Sequence, residues 1–221
     1  VSMLSEGAAS SICLVTASRK PERPDARAAA GRSGFREAVT RQMLEAAPSL
    51  SMETAGGGIQ TRKVAIVMAA GAELGAFKVV QQALLDAGAT TKVIAAHLGT
   101  VASSSGQQVP VDHTFQTMPS VMFDAVLVPG GAASAQLLLK DGAASHFVLE
   151  AYKHCKALCL IGESAEILRR AGLLPEEGTA PAGVVIGTNE PTARLQLAQD
   201  FIAAIGKHRH WLRALVDEVP A

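Results

Sequence analysis

Residues 62–71 read RKVAIVMAAG, and the central run Lys63–Ala69 decides the fold. The run is continuously apolar and rich in β-branched residues, and Gly71 permits a turn after it. This pattern is typical of a strand buried on both faces of a sheet. Similar runs recur later in the chain, at Thr91–Ala96 (TKVIAA), Phe123–Val128 (FDAVLV), Ala157–Ile161 (ALCLI) and Gly183–Gly187 (GVVIG). The sequence therefore predicts five core strands.

Helical patterns separate these strands. The first helix places Leu74, Phe77, Val80 and Leu84 on one face, and Gly88 ends it. Further helices are predicted at Ala132–Leu139, Ala143–His154, Glu163–Ala171 and Pro191–Lys207, the last with an apolar face of Leu195, Ala198, Ile202 and Ile205. Alternating strands and helices predict an α/β fold with a parallel sheet between two helical layers. Five strands favour the flavodoxin-like order over the dinucleotide-binding order.

The segments around this α/β pattern are more polar. Residues 97–120 interrupt the alternation, and Ser103–Gln107 is typical of a turn at the tip of a hairpin. Residues 1–60 are predicted to be a flexible arm and linker, with one short helix at Phe35–Ala47. We expect the domain to span 61–213 and a tail to follow at 214–221. Val1 as the first residue fits either a fragment or a non-standard start codon.

Composition excludes several classes of function. The 221 residues carry no formal net charge and only eight aromatic side chains, which argues against nucleic acid or an anionic membrane as a partner. The apolar segment Ala8–Ala17 lacks preceding basic residues and is not read as a signal peptide. Three cysteines, Cys13, Cys155 and Cys159, fit a reducing, cytoplasmic compartment and give only a weak zinc pattern. Phosphate-binding glycine motifs are absent from the sequence.

Ligands of such sheets bind beyond the carboxyl ends of the strands, where three loops fall. Glu73 in the first loop is a candidate general acid or base, or simply an acid at a helix N-terminus. Gly130 and Gly131 in the second loop would let backbone N–H groups approach an oxyanion, or only form a tight turn.

The third loop, 159–164, is a strand-to-helix elbow that offers Cys159 and Ser164 as nucleophiles. The alternatives are inert packing for Cys159 and helix capping for Ser164. Their bases would come from elsewhere in the chain, with His97, His113 and His146 as candidates.

The segment His208-Arg209-His210-Trp211 closes the last predicted helix. Its two alternating histidines could both ligate a metal ion, although no third ligand accompanies them. Cations at a helix C-terminus also interact favourably with the helix dipole, and we prefer this interpretation. Trp211 is expected to pack either onto the domain or onto a partner.

Six ordered blocks give the chain a specific resemblance. They are RKVAIVMAAG, LLDAGATTKVIAAHLGTV, PVDHTF, PSVMFDAVLVPGGAAS, HFVLEAYKHCKAL and FIAAIGKHRHW, which span about Arg62–Arg213. This series is similar to the C-terminal domain of large-subunit catalases, and 47–52 (APSLSM) resembles the linker to the catalase core. The resemblance implies a structural domain in a haem enzyme of hydrogen peroxide removal and oxidative stress response, with the catalase core or a homo-oligomer as partner.

The wider resemblance is to the DJ-1/PfpI class, which is related to class I glutamine amidotransferases. It implies a flavodoxin-like three-layer sandwich with a mostly parallel sheet of five to six strands. Active members carry a Glu that Glu73 matches, and an elbow Cys followed by His and Gly. With Gly162 as that glycine, Leu160 takes the nucleophile position and Ile161 the His position, while Cys159 lies one residue early. Because side chains alternate along a strand, Cys159 should point away from the site.

The two resemblances lead to different functions. As a catalase domain, the chain is expected to hold no catalytic residue and no cofactor, because the family's haem tyrosine follows an Arg four residues earlier, whereas Val148 precedes Tyr152. The alternative is a stand-alone DJ-1/PfpI-type hydrolase, glyoxalase or chaperone.

Overall fold

A computed structural model describes residues 58–175 and 179–219. The predicted N-terminal helix at Phe35–Ala47 and Cys13 lie outside these residues. Eight strands occur in the described part: β1 (Lys63–Val67), β2 (Thr90–Ala95), β3 (Gly99–Ala102), β4 (Gln108–Val111), β5 (His113–Thr114), β6 (Ala125–Val128), β7 (Ala157–Ile161) and β8 (Val184–Gly187). The α-helices are α1 (Leu74–Asp86), α2 (Ala132–Lys140), α3 (Gly142–Lys153), α4 (Glu166–Arg170) and α5 (Arg194–Gly206).

Six of these strands form one parallel sheet in the order β5-β2-β1-β6-β7-β8. Without its outermost strand β5, this is the flavodoxin-like order predicted from the sequence. The chain leaves β1 towards β2 and later returns to the other side of β1 through β6, so the topological switch point lies between β1 and β6. Strands β3 and β4 form a separate antiparallel hairpin, whose tip at Ser103–Gln107 confirms the predicted turn.

Successive side chains of the central strands point to opposite faces of the sheet, where they pack in two apolar layers. One layer joins Ile66, Leu127 and Cys159 to helices α1 and α5. The opposite layer joins Val67, Val128 and Leu160 to α2, α3 and α4, and also includes Val219. Every residue of β6 and β7 is buried, as expected for strands covered on both faces.

The last helix differs from the prediction in its start and in its apolar face. It begins at Arg194 rather than Pro191, because residues 190–193 form a turn with Ala193 N–H donating to Glu190 C=O. Leu195, predicted on the apolar face, is 69% exposed, whereas Leu197 and Phe201 fill the core. The helix is therefore turned relative to the predicted face, although Ala198 and Ile205 are buried as expected.

The predicted helix Glu163–Ala171 also has a different form. A 3₁₀ turn at Gly162–Ala165 precedes the short α4. The left-handed φ of 58° at Gly162 bends the chain sharply as it leaves β7. Two smaller differences concern strands: β5 was not predicted, and Phe123 is buried next to β6 rather than within it.

Candidate functional site

Glu73 lies at the carboxyl edge of the sheet as the N-cap residue of α1. Its carboxylate accepts a hydrogen bond from the amide of Asn189, with 2.6 Å between Oε2 and Nδ2. The other amide atom of Asn189, Oδ1, accepts the N–H of Ala76 at 2.7 Å. Arg194 in turn donates twice to the Asn189 carbonyl, at 2.7 and 3.0 Å. Glu73 thus belongs to a connected network that links the first turn of α1 to the start of α5.

Gly130 and Gly131 form the tight connection from β6 to α2. The carbonyl of Gly130 accepts the Glu73 N–H at 2.8 Å. Gly131 has a φ of 116°, and a Cβ there would lie 2.5 Å from the carbonyl oxygen of Gly71. Its N–H donates to the carboxylate of Glu163 at 3.2 Å. The backbone donor that could hold an oxyanion is therefore occupied by a side chain of the elbow.

The elbow after β7 separates Cys159 from Leu160. Cys159 is fully buried in the layer beneath α1 and α5, and burial raises the pKa of its thiol. Leu160 points into the opposite layer and is also fully buried, while Ile161 is 1% exposed. The positions that would hold the nucleophile and its following histidine are thus filled by packed aliphatic side chains.

Ser164 is also fully buried, within the 3₁₀ turn. Its hydroxyl contacts two carbonyl oxygens, those of Val128 at 3.1 Å and Ile161 at 2.9 Å. Its single O–H proton is shared between the carbonyls at the ends of β6 and β7, and its oxygen does not cap a helix N–H group, which corrects the capping interpretation. In this position Ser164 joins the ends of two core strands.

The three histidines proposed as bases lie on separate elements. His97 follows β2 and is exposed, His113 belongs to β5, and His146 is an exposed residue of α3. The hydroxyl of Ser164 and the thiol of Cys159 are both enclosed by the core. The described residues also contain no group of three or more His, Cys, Asp or Glu side chains placed to hold a metal ion.

The segment after α5 runs along the amino ends of the strands. His208 Nε2 lies 3.6 Å from Asp124 Oδ1, and Arg62 reaches the same oxygen at 3.2 Å. His210 contacts the carbonyl of Ala204 through its ring at 3.0 Å. Burial lowers the pKa of both histidines. Because α5 ends at Gly206, the segment follows the helix rather than closing it, although His210 still meets a carbonyl of its last turn.

A buried pair of cations at this edge was missed from the sequence. Arg213 is 5% exposed and donates to the carbonyls of Ala182, Tyr152 and Lys156 at 2.6–2.9 Å. Lys156 is 2% exposed and donates to the Ser120 carbonyl at 2.6 Å, and burial lowers the pKa of its amine to about 8. Neither residue carries a local sequence signal, because their partners are up to 61 positions away.

Comparison with known proteins places this geometry in context. A family model described as the C-terminal domain found in long catalases matches residues 60–215. Catalase HPII of Mycobacterium avium is 36% identical over 203 residues, covering 87% of this chain and 29% of the relative. Catalase HPII of Pseudomonas aeruginosa is 36% identical over 176 residues, covering 79% and 24%. The chain therefore spans 29% and 24% of the length of these two relatives, and the resemblance drawn from the sequence is confirmed.

Solved structures with a similar fold are DJ-1-like. Oxidized DJ-1 of Toxoplasma gondii aligns with a TM-score of 0.57 and 19% identity, covering 64% of this chain and 89% of its own. A DJ-1 superfamily protein of Salmonella typhimurium aligns with a TM-score of 0.58 and 23% identity, covering 65% and 89%. At this identity the likeness concerns the fold alone, and it confirms the predicted fold class.

Proposed function

Because the chain belongs to the family of C-terminal domains found in long catalases, we propose that it is a structural domain of a large-subunit haem catalase. In this role it holds no catalytic residue and supports a cytoplasmic enzyme of hydrogen peroxide removal and oxidative stress response. The observation that carries the proposal is the family match over residues 60–215.

The geometry of the elbow supports a role without catalysis. A thiol nucleophile needs access to solvent and a lowered pKa. Cys159 is fully buried, and burial moves the pKa of its thiol upward. Leu160 at the nucleophile position has no reactive atom, and Glu73 is engaged by Asn189.

Haem is the cofactor that a parent catalase implies, and Tyr152 does not fit it. Tyr152 is the only tyrosine of the chain, and its side chain is fully buried. Its hydroxyl donates to the Ala214 carbonyl at 2.9 Å, and Arg213 lies against its ring. We therefore assign haem and the peroxide chemistry to the catalase core, as the proposed partner of this domain.

An exposed apolar surface supports contact with that partner. Four side chains at the amino ends of the strands, named here the amino-edge patch, are Val121 (70% exposed), Met122 (48%), Trp211 (61%) and Leu212 (95%). The chain also enters the described domain at this edge, through residues 58–62. The two pairs are linked through their neighbours, since Ser120 and Arg213 both contact Lys156. Exposed apolar side chains in one region are typical of a protein contact. We propose that the amino-edge patch meets the catalase core or another copy in a homo-oligomer.

A chimera tests the stabilising role. The C-terminal quarter of the Mycobacterium avium relative is replaced by this chain, and the apparent Tm of the chimera is compared with that of the truncated relative. A gain of several degrees, with haem absorbance and oxygen release retained, supports the proposal. A chimera carrying Trp211→Ser and Leu212→Ser should lose the gain, whereas Leu195→Ser on the exposed side of α5 should keep it. Equal Tm values for the chimera and the truncated enzyme would overturn the proposal.

The second candidate is a stand-alone protein of the DJ-1/PfpI type. A hydrolase or glyoxalase requires a reactive thiol, so native alkylation of a Cys13→Ser variant measures it directly. We expect both remaining cysteines, which are buried, to react only on unfolding. Rapid native labelling of Cys159 would favour the enzyme. A chaperone function has one supporting observation, the amino-edge patch, and suppression of client aggregation that Trp211→Ser abolishes would favour it.

A further inference from the structure

A cleft of about 540 Å³ opens at the carboxyl ends of β1 and β2. The residues that line it include Met68, Ala70, Ala96, Val101, Phe115 and Leu137. The volume falls within the range of about 300–1,000 Å³ that is typical of small-molecule sites. The cleft lies between the loop after β1 and helix α2, beside the switch point of the sheet, where ligands of such folds bind.

The space in the cleft results from small side chains. Five of its lining residues are alanines, at positions 69, 70, 95, 96 and 102. Two backbone hydrogen bonds fix the hairpin wall to the loop after β1, where Ala72 and Ser103 form a parallel bridge. They join Gly71 N–H to Ala102 C=O at 2.8 Å and Ser104 N–H to Ala72 C=O at 2.9 Å. The cleft is therefore formed in advance rather than by closure on a ligand.

The polar groups of the cleft define the chemistry of its ligand. Thr100, Gln108 and His97 line it from the hairpin side, where they can exchange hydrogen bonds. Asp141 is the one carboxylate of the lining, and its Oδ1 already accepts the N–H of Ala143 at 2.9 Å as the N-cap of α3. Lysine and arginine do not occur among the described lining residues. An anionic ligand would find no lysine or arginine in the described lining, which makes its desolvation unfavourable. For a cation, the charge of Asp141 is partly offset by the N–H groups of Ala143 and Ala144 that its Oδ1 accepts at the N-terminus of α3.

We propose that this cleft binds an uncharged, mainly apolar small molecule, such as an aromatic or alicyclic compound with one or two hydrogen-bonding groups. The apolar walls supply most of the binding free energy, and the hairpin side chains orient the polar end. Leu98 and Leu137 at the cleft are 65% and 46% exposed, and a ligand would cover both. A concave site built from four separate elements suits a small molecule better than a flat protein surface. The site is separate from Glu73 and does not depend on the proposed catalase role.

Nile red, an uncharged dye whose emission rises in apolar surroundings, tests the site on the full chain. We expect saturable binding at one site per chain. Ala96→Phe should weaken it at least tenfold, because the ring occupies the cleft. The matched control is Ala203→Phe on the exposed side of α5, which should bind the dye like the wild type. A second variant, Leu137→Gln, keeps the test valid if Ala96→Phe fails to fold, because it changes a half-exposed residue. It should weaken dye binding several-fold.

Two outcomes would overturn the proposal. One is dye binding that does not saturate, or that Ala96→Phe and Leu137→Gln leave unchanged, since the dye would then report apolar surface elsewhere. The other is a loss of dye binding as the protein concentration rises and light scattering shows that the chain dimerises. In this outcome, Leu137→Gln would restore the monomer. In that case a second copy, and not a small molecule, covers the cleft.

Discussion

The guanidinium of Arg213 lies against the ring of Tyr152, with 4.7 Å between its Cζ and the ring centroid. The same guanidinium donates to the Tyr152 carbonyl at 2.9 Å, while the Tyr152 hydroxyl donates to the carbonyl of Ala214, the neighbour of Arg213, at 2.9 Å. The two residues are therefore joined by contacts of both their side chains and their backbone. These contacts hold the segment after α5 against α3 and the start of β7.

We expect Arg213→Lys to lower the free energy of unfolding by about 2–4 kcal/mol, since a lysine cannot reach three carbonyls in the planar arrangement of a guanidinium. The control is Arg169→Lys, which changes an exposed ion pair with Glu166 at 3.8 Å and should cost less than about 0.5 kcal/mol. Urea unfolding followed by circular dichroism measures both. Equal effects of the two substitutions would show that the buried contacts contribute nothing.

Asn189→Asp should destabilise the fold by about 2 kcal/mol near pH 7, because a second carboxylate would face Glu73 across the present 2.6 Å contact. Gln196→Glu is the matched control, since it also turns an amide–carboxylate pair, with Asp200 at 2.8 Å, into two carboxylates, but at an exposed site. Its cost should stay below about 0.5 kcal/mol. The Asn189→Asp loss should shrink at pH 4, where carboxylates begin to be protonated. A loss that is the same at both pH values would contradict the electrostatic cause.

Gly131→Ala should cost about 2–4 kcal/mol, because the φ of 116° is strained for alanine and its Cβ would meet the Gly71 carbonyl. Gly142→Ala at the start of α3 is the control. Open space surrounds that position, and the change should be neutral or stabilising by about 0.5–1 kcal/mol. Thermal unfolding of both variants separates backbone strain from a general effect of added methyl groups.

Lys156 should make stability rise with pH. Its pKa is lowered to about 8 in the folded state, against roughly 10.4 when unfolded. Below pH 8 both states bind the proton and the full cost of burying the charge is present. Between about pH 8 and 10 the unfolded state binds more protons, so the folded state gains stability with rising pH.

Guanidinium unfolding of wild type and Lys156→Met at pH 7.5 and 9.5 measures this effect. The wild type should gain stability from the lysine between pH 7.5 and pH 9.5, and the Met variant should lack this gain. The stability of the Met variant minus that of the wild type should therefore be smaller at pH 9.5 than at pH 7.5. Taking this difference cancels the contributions of other groups that titrate in this range, Cys159 included, because both proteins contain them. The control variant Lys140→Met, at an exposed position, should show a constant difference. A constant difference for Lys156→Met would contradict the lowered pKa.

The core strands could be predicted from the sequence because their signal is local. Ala157–Ile161 is a strand with the predicted bounds, and the alternation of its side chains explains why Cys159 and Leu160 enter opposite layers. Strand β5 gave no such signal, since two residues at a sheet edge are too few for a period. In the last helix, small and apolar residues lie on several faces, so Leu195 was assigned to the wrong one.

The candidate site was predicted in its positions but not in its contacts. Glu73, Gly130 and Gly131 lie at the carboxyl edge as expected, because strand order alone brings these loops together. Asn189 was missed because its bond to Glu73 joins residues 116 positions apart. Arg213 was missed for a similar reason, since the carbonyls to which it donates lie at least 31 positions away. Long-range polar contacts of this kind depend on tertiary packing, which no local pattern encodes.

Asp124 receives both Arg62, where the chain enters the domain, and His208, where it leaves the last helix. The entry of the chain into the domain and the end of its last helix are thus a few ångströms apart at one carboxylate, and the chain after His208 packs against the domain as far as Val219. A polypeptide that precedes this domain would therefore attach beside the end of α5. A force transmitted through that attachment would first strain the contacts of Asp124 with Arg62 and His208.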